Sequence, residues 1–289
     1  MTAMSRRQFF MTAGAGAAAA GAAWRLHPRS SMAEAATDDH GGFRMSIQTN
    51  ILNAYTQDLE EIIAHTADLE IPLAEFPDWH YELTLDEDRI AEVQAMLGDH
   101  GVEMAAYFLG EIEEDSEDAL RPVFEFARLN GASVLIGQPT EASFPILHAL
   151  VREYTEMRVA IHNYGPGHRF DLTEDMLTAA APWDWRIGYC LDTGHLMRSG
   201  ENPVEAVRRM GSRLYGLHLR EHAEITRNPD LPETIVGEGA LDLEGLCEAL
   251  RDVQFTGPLS LEIYYNPAEP LDAIRRSMAN FLEAARATA

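Results

Sequence analysis

Eight short apolar runs, each followed by a helical pattern or a turn, constrain this chain more than any other feature. The runs are "FRMSIQT" (43–49), "IPLAEF" (71–76), "VEMAAYFLG" (102–110), "ASVLIG" (132–137), "RVAIHN" (158–163), "RIGYCLD" (186–192), "RLYGLHL" (213–219) and "PLSLEIYY" (258–265). Several are apolar almost throughout, as strands of a parallel sheet are when helices cover the outer side. Between them lie amphipathic stretches such as "LDEDRIAEVQAMLGDHG" (85–101) and "SEDALRPVFEFARLNG" (116–131), each ending on glycine, the expected helix stop. Eight strands alternating with helices in about 250 residues predict a single-domain α/β protein, a (β/α)8 TIM barrel. A doubly wound open sheet is disfavoured, because no glycine-rich phosphate fingerprint follows the first strand. One long irregular stretch, residues 220–241, follows strand seven, and a loop of that length in a compact domain usually covers a site.

The first 36 of the 289 residues do not fit this pattern. "SRRQFF" (5–10) pairs Arg6 with Arg7, an Ala/Gly stretch follows, and "AEA" (33–35) supplies small residues for cleavage. That order predicts a twin-arginine export signal over residues 1–36, a barrel over 37–289, and passage through the Tat translocase to the periplasm or the exterior. No cysteine lies near the cleavage point, so a lipid anchor is not expected.

Composition narrows the chemistry. The chain has 22 basic and 47 acidic residues, a net charge of −25, and every basic residue is arginine. The absence of lysine excludes Schiff-base and P-loop chemistry. The negative field disfavours nucleic acid as a partner, and an acidic, lysine-free surface is of the kind suited to high salt. Cys190 and Cys247 sit in apolar patterns and read as core residues.

In a barrel of this kind the C-terminal ends of the strands carry the chemistry. Here strand five ends in His162-Asn163 and strand six in Asp192, with His195 just beyond. Strand seven carries His218, then Arg220, Glu221 and His222, and strand eight carries Glu262. A side-chain period of two can bring one residue per strand into the mouth. Taken singly, Asp192 could cap a helix and each histidine could be an ordinary hydrogen-bonded residue. Four such groups on four consecutive apolar strands would be costly to desolvate without a shared partner. His162, Asp192, His218 and Glu262 therefore form a candidate site for one divalent ion, with Mn, Co, Zn and Mg all admissible.

The segments "VAIHNYGP", "RIGYCLDTGHLMRSGENPVEAVRRM", "RLYGLHLRE", "VGEGALDLEGLCEAL" and "GPLSLEIYY" resemble the xylose isomerase-like TIM barrel superfamily, and within it the sugar phosphate isomerase/epimerase group, relatives of tagatose and psicose epimerases. "AEFPDWH" (74–80) and "FEFARLNGASVLIGQP" (124–139) resemble it too, and the likeness is strongest from residue 156 to 266. The resemblance implies that Asp192, His218 and Glu262 bind the metal and that His195 contacts substrate oxygens. It also exposes a departure: ketose epimerases carry a glutamate where this chain has His162, which replaces one of the two proton-moving acids. Arg220 keeps the positive charge of the "HLKD" pattern common in relatives. The implied activity is a metal-dependent isomerase or epimerase that works through an enediolate on a non-phosphorylated sugar. Glu262 and His195 are the expected catalytic residues, and His80, Asn163 and Arg220 the expected substrate contacts. Loss of a leaving group from the same intermediate would make the protein a lyase on a keto-sugar or keto-glycoside, and a non-catalytic carbohydrate-binding barrel is a third reading. Trp79, Tyr164, Tyr264 and Tyr265 are placed either to stack on a sugar or to pack ordinarily. The oligomeric state is left open.

Overall fold

The structure, a computed structural model, describes residues 40–289; the expected export signal lies outside them. Eight parallel strands close into a barrel: β1 (Arg44–Gln48), β2 (Leu73–Pro77), β3 (Glu103–Ile112), β4 (Val134–Pro139), β5 (Arg158–His162), β6 (Ile187–Asp192), β7 (Leu214–Leu219) and, after a two-stranded hairpin, β10 (Pro258–Leu261), which pairs with both β7 and β1. The hairpin, β8 (Glu221–His222) with β9 (Glu233–Thr234), lies inside the stretch expected to be irregular. The eighth barrel strand is shorter than its sequence suggested. Glu262 falls one residue past its end, yet its N–H still donates to Leu219 O at 3.2 Å, which holds it in barrel register.

Helices α1 (Leu59–Asp68), α2 (Glu87–Asp99), α3 (Glu117–Leu129), α4 (Phe144–Glu153), α5 (Thr173–Ala180), α6 (Thr193–Arg198), α7 (Pro203–Met210), α8 (Leu243–Asp252) and α9 (Pro270–Ala287) occur along the connections between the strands and after β10. The glycine stops act as expected. Gly101 and Gly131 adopt φ of +67° and +89°, and the residues after them, Val102 and Ala132, bond back to Leu97 O and Ala127 O. A left-handed residue there turns the chain out of the helix and into the next strand.

The period of two sorts each strand into an outer and an inner face. Val159 and Ile161 of β5, Leu191 of β6, Leu217 and Leu219 of β7, and Leu259 and Leu261 of β10 join the large core shared with the helices. The alternate residues form a separate interior. Its apolar part is Ala106, Phe108, Val134, Ile136, Ala160, Cys190 and Tyr215. The residues two further along β5, β6 and β7, in step with Ala160, Cys190 and Gly216, are His162, Asp192 and His218. The interior thus changes from apolar to ionisable as the strands approach their C-terminal ends.

Candidate metal centre

His162, Asp192, His218 and Glu262 are all buried, and one ligand atom from each lies within 4.8 Å of every other. His162 Nε2 is 3.0 Å from His218 Nδ1 and 3.8 Å from Asp192 Oδ2; His218 Nδ1 is 2.7 Å from Glu262 Oε2. Nitrogen and oxygen ligands at about 2.0–2.2 Å from a divalent ion lie about 3–3.5 Å from one another, so these separations suit donors around a common centre. The hydrogen bonding agrees. Glu262 Oε2 is buried without hydrogen-bond geometry to any partner despite its closeness to His218. The four residues thus form a buried set that could hold a divalent ion.

Each donor is held by something behind it. Asp192 resolves the choice between cap and ligand by being able to serve as both: Oδ1 accepts the His195 backbone N–H at 2.6 Å, at the start of α6, while Oδ2 faces His162. Asn163 spends both ends of its amide on the Asp192 backbone, donating to its carbonyl at 3.0 Å and accepting from its N–H at 2.7 Å. It is buried, and these two bonds tie β5 to β6 behind the donors. His218 Nε2 lies 2.8 and 3.0 Å from the two oxygens of Glu75, which also accepts from Ser260 Oγ at 3.0 Å. A carboxylate behind a ligating imidazole fixes its orientation and raises its basicity. Sequence reasoning passed over Glu75, although an acid ending an apolar run was the very signal it followed on later strands. The glycine of "DTGH" has its own reason: a Cβ on Gly194 would sit 2.6 Å from Arg220 Cβ.

Arg220 lies against this cluster rather than beyond it. Its Nη1 is 3.2 Å from Asp192 Oδ2 and 3.1 Å from His195 Nε2, and its Nε and Nη2 bond Glu233 of the hairpin at 3.2 Å each. Burial opposes its charge, but Asp192 and Glu233 more than restore it. His195 is held well below its ordinary value by burial and by Arg220, so its ring is neutral. His162 is also kept neutral by burial, with His218 adding to the effect. Burial works against ionisation of Glu262, yet His218 and Arg220 overcome it and hold the carboxyl well below the usual range. Tyr264 donates to Glu262 Oε1 at 2.8 Å, accepts from Asn50 Nδ2, and packs its ring under the Arg220 guanidinium. His80 stands apart from the four donors. It bonds Thr49 Oγ1 at 2.9 Å and Asn53 Oδ1 at 3.3 Å, and burial lowers it to about 4.

A family model described as the xylose isomerase-like TIM barrel matches residues 117–285, and the chain belongs to that family. An inosose dehydratase of Clostridium botulinum (strain Eklund 17B / Type B) is 32% identical over 133 residues, which is 40% of this chain and 44% of that one. The chain thus matches less than half the length of such curated relatives. Among solved structures, a probable 3-DHS dehydratase from Bacillus anthracis superposes with a TM-score of 0.66 at 12% identity, covering 82% of this chain and 98% of that one. A D-psicose 3-epimerase superposes with a TM-score of 0.62 at 12% identity, covering 84% and 96%. At these identities the likeness is one of fold.

Proposed function

We propose that this protein is a divalent-metal-dependent enzyme that removes a proton next to a carbonyl of a keto-sugar or keto-cyclitol and expels the oxygen substituent one carbon further on. The observation that carries the reading is the inventory of carboxylates. Asp192 spends its oxygens on the α6 cap and on Arg220, and Glu75 spends both on His218 and Ser260. Of these three carboxylates, Glu262 is the one that keeps an oxygen, Oε2, without a hydrogen bond. Where an epimerase pattern would offer a second acid, this chain presents the neutral His162. One acid suits a reaction in which the group that takes the proton also returns it, and the dehydratase names among the relatives support the same choice.

His162, Asp192, His218 and Glu262 would hold the ion, which when bound supplies a Lewis acid that polarises a substrate carbonyl. Glu262 takes the proton from the carbon beside that carbonyl. The C–H electron pair becomes the new carbon–carbon double bond as the neighbouring C–O bond breaks. The departing oxygen leaves with that bond's electrons and recovers the proton from the Glu262 carboxylic acid on the same face. The products are an unsaturated ketone and water, or an alcohol if the leaving group is a glycosidic oxygen. Arg220 stands beside Asp192 and His195, where it can donate to a substrate oxygen.

Incubation of metal-loaded protein with an inosose and with keto-glycosides in D2O, followed by proton NMR, tests this. Loss of the proton next to the carbonyl together with a new vinylic signal is expected. Exchange that yields only an epimer or isomer would move the assignment to the isomerase reading, and no exchange with any keto-sugar would overturn the enzyme reading.

A further inference from the structure

Exposed large apolar side chains are few among the described residues: Tyr55, Trp79, Leu85, Trp185 and Tyr265. Three of them, Tyr55, Trp79 and Tyr265, follow β1, β2 and β10, which are consecutive around the barrel because β1 pairs with both β2 and β10. They therefore rise from one arc of the mouth. Tyr55 and Tyr265, each 46% exposed, line a cavity of about 530 Å³ with Ile235, Asn266, Glu269 and Asp272. That volume lies in the range of small-molecule sites, roughly 300–1,000 Å³.

Two short pieces of chain tie the lining of this cavity to residues that hold the cluster. Tyr264, next to Tyr265, holds Glu262 Oε1 at 2.8 Å, and Asn50 links the Tyr264 hydroxyl to the Trp79 indole, whose Nε1 donates to Asn50 Oδ1 at 3.2 Å. On the other side, Ile235 lies two residues beyond Glu233, which clamps Arg220. The Tyr55 ring is steadied by His65, with centroids 5.1 Å apart. Half-exposed tyrosine rings beside carboxylates and an amide form the surface a pyranose recognises. The rings meet its C–H face, and the acids and amide accept from and donate to its hydroxyls.

We infer that this rim cavity is a subsite for a second sugar ring, so that the substrate is a disaccharide or other glycoside whose departing portion rests on Tyr55 and Tyr265. The inference rests on the elimination reading above, in which a glycosidic oxygen can be the leaving group. It selects glycosides over free monosaccharides.

Calorimetric titration separates the two ideas because it reads binding without turnover. Metal-loaded Glu262→Gln protein would be titrated with 3-keto-glucose and with the 3-keto forms of maltose, cellobiose and trehalose, and then again in backgrounds carrying Tyr265→Ala or Tyr55→Ala. At least one keto-disaccharide is expected to bind about tenfold or more tightly than the keto-monosaccharide. Each tyrosine change should weaken that disaccharide by about 3- to 10-fold, the worth of one ring contact, and leave the monosaccharide unaltered. Tyr265→Phe should keep most of the gain, since the ring rather than the hydroxyl carries it. Equal affinity for one ring and two, or equal losses for both sugars on tyrosine removal, would overturn the subsite and leave the elimination reading standing. Binding of no sugar of either size would overturn both.

Discussion

The two ends of β5, β6 and β7 use the same kinds of residue to opposite purposes. Each strand is entered through an arginine, Arg158, Arg186 and Arg213, and each inner face ends on an ionisable group, His162, Asp192 and His218. At the entry every guanidinium is settled locally. Arg213 donates to Ile187 O and Ala180 O at 3.0 and 2.9 Å, Arg186 pairs with Asp184 at 3.0 Å, and Arg158 and Arg186 lie 4.5 and 4.7 Å from the Trp185 ring centroid. At the exit, by contrast, His162 Nδ1 and Glu262 Oε2 are buried without hydrogen bonds. Buried polar groups are normally satisfied within the fold. The entry of these strands settles its own charges, whereas the exit gathers four buried groups that could hold a metal ion.

The strongest way to break this contrast is to strip the exit of its donors. Asp192→Asn combined with His218→Ala should abolish divalent-ion binding, read by elemental analysis of purified protein, and activity with it. Full metal content in the double variant would show that the donors belong to the fold and not to an ion. Glu262→Gln tests the next step. It keeps the shape but cannot accept a proton, so proton exchange in D2O should slow by about 10²–10⁴ while substrate affinity changes far less. Exchange at the unaltered rate would place the base on His162 or His195. Behind the donors, Glu75→Gln should leave the ion bound but weaken its affinity by about 10- to 100-fold, measured by competition with a chelator. An unchanged affinity would reduce Glu75 to a packing residue.

The exit was legible in the sequence where its signal is periodic. An ionisable residue at the end of an apolar run is visible without a structure, and it picked out His162, Asp192, His218 and Glu262 together. Glu75 interrupts the run "LAEF" near its end in a similar way. Its meaning appears only when the barrel closes and sets it against His218, 143 residues away. The bonds Asn163 makes to the Asp192 backbone could not be foreseen, because an amide's bonds to a neighbouring strand leave no trace in its own segment. Glu233 lies in an aperiodic connection, where no face or register assigns a direction, so its clamp on Arg220 could not be foreseen. The aromatic arc was half visible: Trp79 and Tyr265 could be named, but Tyr55 joins them only through the adjacency of β1 to β10.

The smallest expected effect sharpens the contrast from the other end. Trp185 is 53% exposed, yet both Arg158 and Arg186 pack on its ring, and Tyr215 donates its hydroxyl to the Trp185 carbonyl. Trp185→Ala removes the two cation–π contacts and keeps the backbone acceptor. Exposed contacts of this kind contribute about 0.5–1 kcal/mol each, so a loss of about 1–2 kcal/mol is expected. In a domain of this size each kcal/mol lowers Tm by about 2–4 °C. The metal donors sit at the opposite ends of the same strands, so metal affinity, kcat and KM should match those of the unaltered protein below the transition. A variant with normal Tm would show the arginine entries to be ornamental to stability. A variant that loses metal along with its Tm would show that the strands transmit strain from one end to the other, and that closure and chemistry are not separable in this barrel.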